Sequence, residues 1–178
     1  MPAQNPHRPG LVGLLSVVCG VLAFSWHTVL AVPIEQDPKS FNGIGWGTPF
    51  SDSAVYAKVD ESGKIRTYER TDGLPSLGPV RVESMKFVTI DGKFARVIVR
   101  YLGKTTHAQV LTHLQSLYGP IDRTPGAMTR GSGQQFNWRG TDTEVNLTYE
   151  TVREVGFLFI DSAVLAPRFN DSLPEHAY

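Results

Sequence analysis

The stretch VESMKFVTIDGKFARVIVRYL, residues 82–102, restricts the fold of this chain more than any other. Asp91-Gly92 lies between two runs rich in Val, Ile, Phe and Met. A two-residue type I′ turn requires positive φ at both central positions, which Asp and Gly adopt most readily. The runs should therefore close as an antiparallel hairpin with Ile90 opposite Lys93. Unbroken pairing from that turn sets Val88 opposite Ala95, Phe87 opposite Arg96, Met85 opposite Ile98 and Glu83 opposite Arg100. One face then carries Val82, Val88, Ala95, Val97, Val99 and Tyr101. The other carries Met85, Phe87, Phe94 and Ile98 among Glu83, Thr89, Arg96 and Arg100.

A cover for the first face follows from TTHAQVLTHLQSLYGP. His107, Val110, Leu111, Leu114, Leu117 and Tyr118 recur at helical spacing, Thr105 or Thr106 can cap the start, and Gly119-Pro120 supplies the stop. The other side is polar (Gln109, Thr112, His113, Ser116), so a helix over about 106–118 is expected to lie on a sheet through Val110, Leu111, Leu114 and Leu117. Further on, GAMTRGSGQQ reads as a flexible loop. FNWRGTDTEVNLTYE reads as a second hairpin, with Phe136 and Trp138 on one arm and Val145, Leu147 and Tyr149 on the other. EVGFLFIDSAVL is apolar on both strand faces, the pattern of a central strand. AVYAKVDESGKIRTYER is a further hairpin candidate, turning at 61–63. The expected fold class is α+β, an antiparallel β-sheet built from hairpins with one main amphipathic helix packed across it. The hairpins at 87–101 and 136–149 flank the helix with similar lengths, which fits either a degenerate duplication or coincidence.

Residues 1–10 are polar and include His7 and Arg8, residues 11–24 carry no charged side chain, and VLAVP places Val29 and Ala31 at the small-residue positions a signal peptidase reads. We expect a signal peptide over 1–31, a single α+β domain over 32–166 and a loose C-terminal tail over 167–178. The alternative is an uncleaved membrane anchor, because 11–32 is just long enough to span a bilayer, although Ser16, Ser25, His27 and Thr28 dilute it. Lipidation at Cys19 is disfavoured by its Ser16-Val17-Val18 approach. Cys19 is the only cysteine, so cleavage leaves no disulfide, cysteine nucleophile or cysteine-bound metal. Cleavage also removes Arg8 and leaves 16 basic against 17 acidic side chains, with no basic stripe for nucleic acid. The product is expected to be periplasmic or secreted, with no integral membrane span.

In SFNGIGWGTPFSD, residues 40–52, Gly43, Gly45 and Gly47 alternate with Ile44 and Trp46. A phosphate-cradling loop would need a strand before the glycines and a GK[ST] or helix N-terminus after them, and neither is legible. The motif is expected to start the fold instead. Phe41, Ile44 and Trp46 would plug an edge of the core while the glycines let the backbone pass closely, with a ligand-facing Trp46 as the alternative. Through residues 41–48, the DGKFARV of 91–97 and the YGP of 118–120, the chain resembles small exported bacterial proteins, periplasmic or lipoprotein-like and of no assigned activity. Those proteins begin the mature domain with an F-x-G-I-x-W-G-T segment, followed by a DGK(F/L)xxV hairpin and a helix ending in (Y/F)GxP. Here Pro120 follows Gly119 directly. The resemblance implies no catalytic residue.

Nor do the residues themselves spell out a catalytic set. His107 and His113 are six apart on one helix, about 240° around its axis, and cannot jointly hold a metal. His107 reads as a partnered, half-buried side chain, and His176 lies in the tail. Ser132 in RGSGQ lacks the spacing of a nucleophile elbow. Asp60-Glu61 and Asp142 with Glu144 read as solvated turn charges. Asn146-Leu-Thr and Asn170-Asp-Ser match the glycan-acceptor pattern. No metal or cofactor site is expected.

Two function classes follow. One is an exported non-catalytic module that binds a protein partner, an envelope component or a small ligand. The other is a small envelope hydrolase whose carboxylates converge only in the fold. The candidate binding residues are Trp46, Met85, Phe87, Phe94, Arg96, Ile98 and Arg100. Uncovered, the hairpin face has the composition of a binding surface; covered by a second layer containing Trp46, it is core. A deep groove with two or more carboxylates, or a His107–carboxylate pair, favours the hydrolase, and an exposed apolar sheet face favours the binder.

Overall fold

The computed structural model describes residues 31–121 and 127–170. The expected signal peptide, its anchor alternative, Cys19 and His176 lie outside the described residues. In chain order the strands are β1 (Val32–Pro33), β2 (Ser40–Phe41), β3 (Ile44–Gly45), β4 (Tyr56–Ser62), β5 (Ile65–Arg70), β6 (Ser76–Leu77), β7 (Val80–Arg81), β8 (Ser84–Ile90), β9 (Lys93–Leu102), β10 (Ala127–Arg130), β11 (Gly133–Arg139), β12 (Thr143–Glu150) and β13 (Val155–Ser162). Helix α1 (Lys104–Tyr118) joins β9 to β10, and α2 (Pro167–Asn170) follows β13. Nine strands form one sheet in the order β1-β11-β12-β13-β9-β8-β5-β4, with β10 also on β11. All pairs in it are antiparallel except β1 with β11. In coarse form this is the expected class, mainly sheet with one main helix. No helix among the described residues is long and apolar enough to cross a membrane.

The turn that closes β8 and β9 has φ of 51° at Asp91 and 73° at Gly92, and Ile90 faces Lys93. Beyond it the expected register is wrong. Thr89 faces Phe94 and Val88 faces Arg96, so Ala95 is an extra residue. From there Phe87 faces Val97, Met85 faces Val99 and Ser84 faces Arg100. The bulge falls where β9 changes neighbours. β13 pairs with it from Leu102 to Arg96. Residues 47–50 then take over, Gly47 N–H donating to the Phe94 carbonyl at 2.8 Å and Phe94 N–H to the Thr48 carbonyl at 2.9 Å. One extra residue re-aims every side chain beyond it. Met85, Phe87 and Phe94 therefore share a face with Val97 and Val99, while Val88, Arg96, Ile98 and Arg100 take the opposite one.

The first of these faces is the core. Val110 and Leu114 of α1 are fully buried in one cluster with Val97, Val99, Leu147 and Leu158. Phe41, Trp46 and Phe50 join the same cluster, Trp46 stacked 5.0 Å from Phe94 and Phe50 stacked 6.1 Å from Phe87. The helix and the N-terminal segment thus share one face, and among the described residues the other face carries α2 and not the expected second layer containing Trp46. α1 starts at Lys104, earlier than expected, behind Gly103 and without a side-chain cap. It buries His107, Val110, Leu114 and Tyr118. That stripe is already filled at i, i+3, i+7 and i+11, so Leu117 is turned out and half exposed.

The glycine-rich opening is a clip. Asn42-Gly43, with φ of 49° and 80°, turns β2 onto β3. This delivers Trp46, whose Nε1–H donates to Thr143 Oγ1 at 2.9 Å, and the Thr143 hydroxyl donates to the Pro38 carbonyl. Asp37 accepts the Asp142 N–H at 2.5 Å. Residues 37–46 are in this way tied to the turn between β11 and β12.

Two further expectations are corrected. GAMTRGSGQQ is not a loop: Ala127–Arg130 form β10, turning through Gly131 (φ 59°) onto β11. Residues 167–170 of the expected loose tail are helix α2, and Phe169 is buried against Val88, Ile90 and Ala95, covering the apolar patch around the hairpin tip. Residues 171–178 lie outside the described residues.

Candidate functional site: the open face of the sheet

The register places one side chain from each strand on the face away from α1. Across the middle of the sheet these are Lys86, Ile98 and Phe159 with Asn146, then Arg100 and Phe157 with Thr148, then Leu102 and Val155 with Glu150. β12 alternates buried and part-exposed without a break, Val145, Leu147 and Tyr149 inward and Glu144, Asn146, Thr148 and Glu150 outward. Its neighbour β13 is central, as expected, but only its inward side chains are covered. Phe157 is 40% exposed, diagonal to Leu102 at 47%, and Met128 on β10, in the same row beyond Thr148 and Gln135, is 45% exposed.

A groove of about 590 Å³ runs along this face, floored by Phe157 and Val155 of β13 and Met128 of β10 with Thr148 and Gln135 between them, and flanked by Arg100, Arg130 and Arg153. Its rim is made by two turns stapled together, the backbone N–H and hydroxyl of Thr151 donating to the Ser132 carbonyl at 2.9 and 3.0 Å. Glu150 accepts the N–H groups of Val152 and Arg153 at 2.9 Å, which holds its carboxyl below the usual range. A second groove adjoins it across Gln135, lined by Asn137, Asn146, Phe159 and the Arg96–Asp161 pair.

The sequence candidates divide between the two faces. Met85, Phe87 and Phe94 are buried core, and Trp46 is half-buried against Phe94 with its N–H satisfied, so these four lie away from the open face. Arg96 is on the open face but committed within the molecule. It donates twice to Asp161, at 2.6 and 3.0 Å, and lies 4.3 Å over the Phe169 ring. Burial nevertheless pushes the Asp161 carboxyl up, against the pull of the guanidinium. Ile98 is half-buried beside Phe159, and Arg100 is bonded to Glu83 at the groove wall. Phe157, Val155, Met128, Arg130 and Arg153 were not expected. The polar alternation of β12 was the available signal, because a strand paired beside it presents its own alternate residues to the same solvent.

Among the described residues His107 has no carboxylate partner. Its Nδ1 shares a hydrogen bond with Tyr101 Oη at 2.7 Å, the phenol being kept protonated by burial, and its ring stacks 3.9 Å from that of Tyr149. Burial holds the imidazole below its ordinary value of 6.5. A third groove, of about 510 Å³, gathers Glu69, Asp72 and Glu83. Arg70 holds Asp72 through two 2.8 Å bonds and lowers its pKa, and Arg100 holds Glu83. Among the described residues no cluster of His, Cys, Asp and Glu is arranged to hold a metal ion.

Fold and site together define an α+β protein whose sheet is packed on one face and grooved on the other. No protein-family model, curated protein or solved structure matches the chain.

Proposed function

We propose that this chain is an exported, non-catalytic module that recognises a partner, envelope component or small ligand through the open face of its sheet. The observation that carries this reading is Phe157. It stands on a strand paired on both sides and is 40% exposed, diagonal to Leu102 across the β13–β9 ladder, on the floor of an arginine-flanked groove. The hydrolase reading has less support. The carboxylates of the third groove include two engaged by arginines, and a lowered pKa removes the proton that a general acid must carry near neutral pH. Export rests on the leader pattern at 1–31, and mass spectrometry of the chain from its native host should find Val32 at the N-terminus. Intact Met1 or an acylated Cys19 would contradict that part.

The binding role is tested by passing envelope extract over the immobilised protein and over Phe157→Ser, with thermal melts of both. Material retained by the parent and lost by the variant at an unchanged melting temperature is the expected result. Equal retention by both would remove the role from this face.

A further inference from the structure

Resting on the reading of the open face as a binding surface, we propose that its groove takes a fatty-acid-like amphiphile, one alkyl chain ending in a carboxylate, one molecule at a time. The head group sits between Arg130 and Arg153, and the chain lies along Phe157, Val155 and Met128.

Charge places the head. The stapled turns bring Arg130, the last residue of β10, and Arg153, in the turn before β13, to the same rim. Arg130 forms no ion pair among the described residues. Arg153 has a side chain 84% exposed, with its closest carboxylate, Glu150, 4.0 Å away. Glu150 accepts from two backbone N–H groups and keeps its negative charge, which offsets part of the charge of Arg153. The third arginine, Arg100, is neutralised by Glu83, so among the described residues Arg130 and Arg153 against the single carboxylate of Glu150 leave a net positive charge at one end of the groove. Two planar guanidinium forks meet a carboxylate with paired N–H donors, a geometry that a single point charge cannot offer.

The floor decides against a peptide. β11, β12, β13 and β9 beneath it each have two ladder neighbours, so a peptide laid across them would leave its own N–H and C=O groups without backbone partners; β10 pairs only with β11, so a peptide adding as a strand would dock at that edge and not along the floor. An alkyl chain has no such groups, and only its head needs hydrogen bonds. A groove of about 590 Å³ falls within the size range of small-molecule sites.

The test is calorimetric titration of the full chain with dodecanoate below its micelle concentration, beside dodecyltrimethylammonium and dodecyl maltoside. It is repeated on Arg130→Gln combined with Arg153→Gln, and on Arg153→Gln alone, an exposed turn position that cannot unfold the domain by losing packing. Saturable one-to-one binding of dodecanoate is expected, weakened about tenfold or more in the double variant and measurably in the single one, with no binding of the cationic chain. Equal affinity for the cationic chain, or unchanged affinity in both variants, would overturn the proposal. So would co-sedimentation with phosphatidylglycerol vesicles without saturable dodecanoate binding. If dodecanoate fails to bind while capture of envelope material still depends on Phe157, this proposal falls and the binding module stands. If both fail, both readings fall.

Discussion

Gly156 of β13 faces Tyr149 across one ladder and Tyr101 across the other, on the packed side of the sheet. A Cβ at that position would fall inside the Tyr101 ring, so the glycine is what lets Tyr101 lie flat on the strand and reach His107. Gly156→Ala should cost about 2 kcal/mol or more, read as a lower urea midpoint at unchanged slope, because buried rings have little freedom to withdraw. His107, above this pair, gives the residue scale its pH dependence. Its folded-state pKa lies below 6.5, so below that pH the unfolded chain takes up a proton that the folded chain refuses. Stability is therefore fully present above about pH 6.5 and lost as pH falls through it. Melting curves between about pH 7.5 and 5.5 should show the loss, and His107→Gln should flatten it more than His113→Gln, since His113 is less buried. A parent curve that is flat or rises on acidification would contradict the burial assigned to the imidazole.

Among the elements, α1 offers the sharpest contrast. Leu114 and Leu117 are alike in type and three residues apart, yet one is fully buried and the other half exposed. Leu114→Ala should cost about 2–5 kcal/mol through the cavity it leaves, while Leu117→Ala should stay within about 1 kcal/mol. Comparable losses would mean that the helix is rotated from the orientation described. The turns and the helix were legible because they are local: Asp91-Gly92 states its backbone angles, and the α1 stripe repeats within fifteen residues. The bulge at Ala95 was not legible. It depends on residues 47–50 replacing β13 beside β9, a partnership between segments far apart in the chain. That single residue brings Val97 and Val99 onto the face of Met85, Phe87 and Phe94, so that the helix and the N-terminal segment cover them together as core. The candidate site was legible only at Ile98 and Arg100, because β10 lay in a stretch whose glycines read as a loop and Phe157 lay in a strand whose apolar pattern read as interior on both sides.

At the scale of the whole molecule, one sheet carries two kinds of surface. The face under α1 and the 37–50 clip joins hydrophobic side chains from β5 to β11 in one cluster, and among the described residues the outward face is covered by α2 near the hairpin tip. Stability and recognition should therefore separate by face. Phe87→Ala, on the packed side, should cost about 3–5 kcal/mol, whereas Phe157→Ser should leave the melting temperature nearly unchanged and act on binding. The division is read most directly by hydroxyl-radical footprinting of the folded protein, alone and with envelope extract, quantified at Phe157, Phe87 and Phe94. The account predicts labelling of Phe157 in the free protein, protection of it by the extract, and silence at Phe87 and Phe94 in both conditions. Labelling of Phe87 and Phe94 with a silent Phe157, or a Phe157 whose labelling the extract leaves untouched, would contradict it.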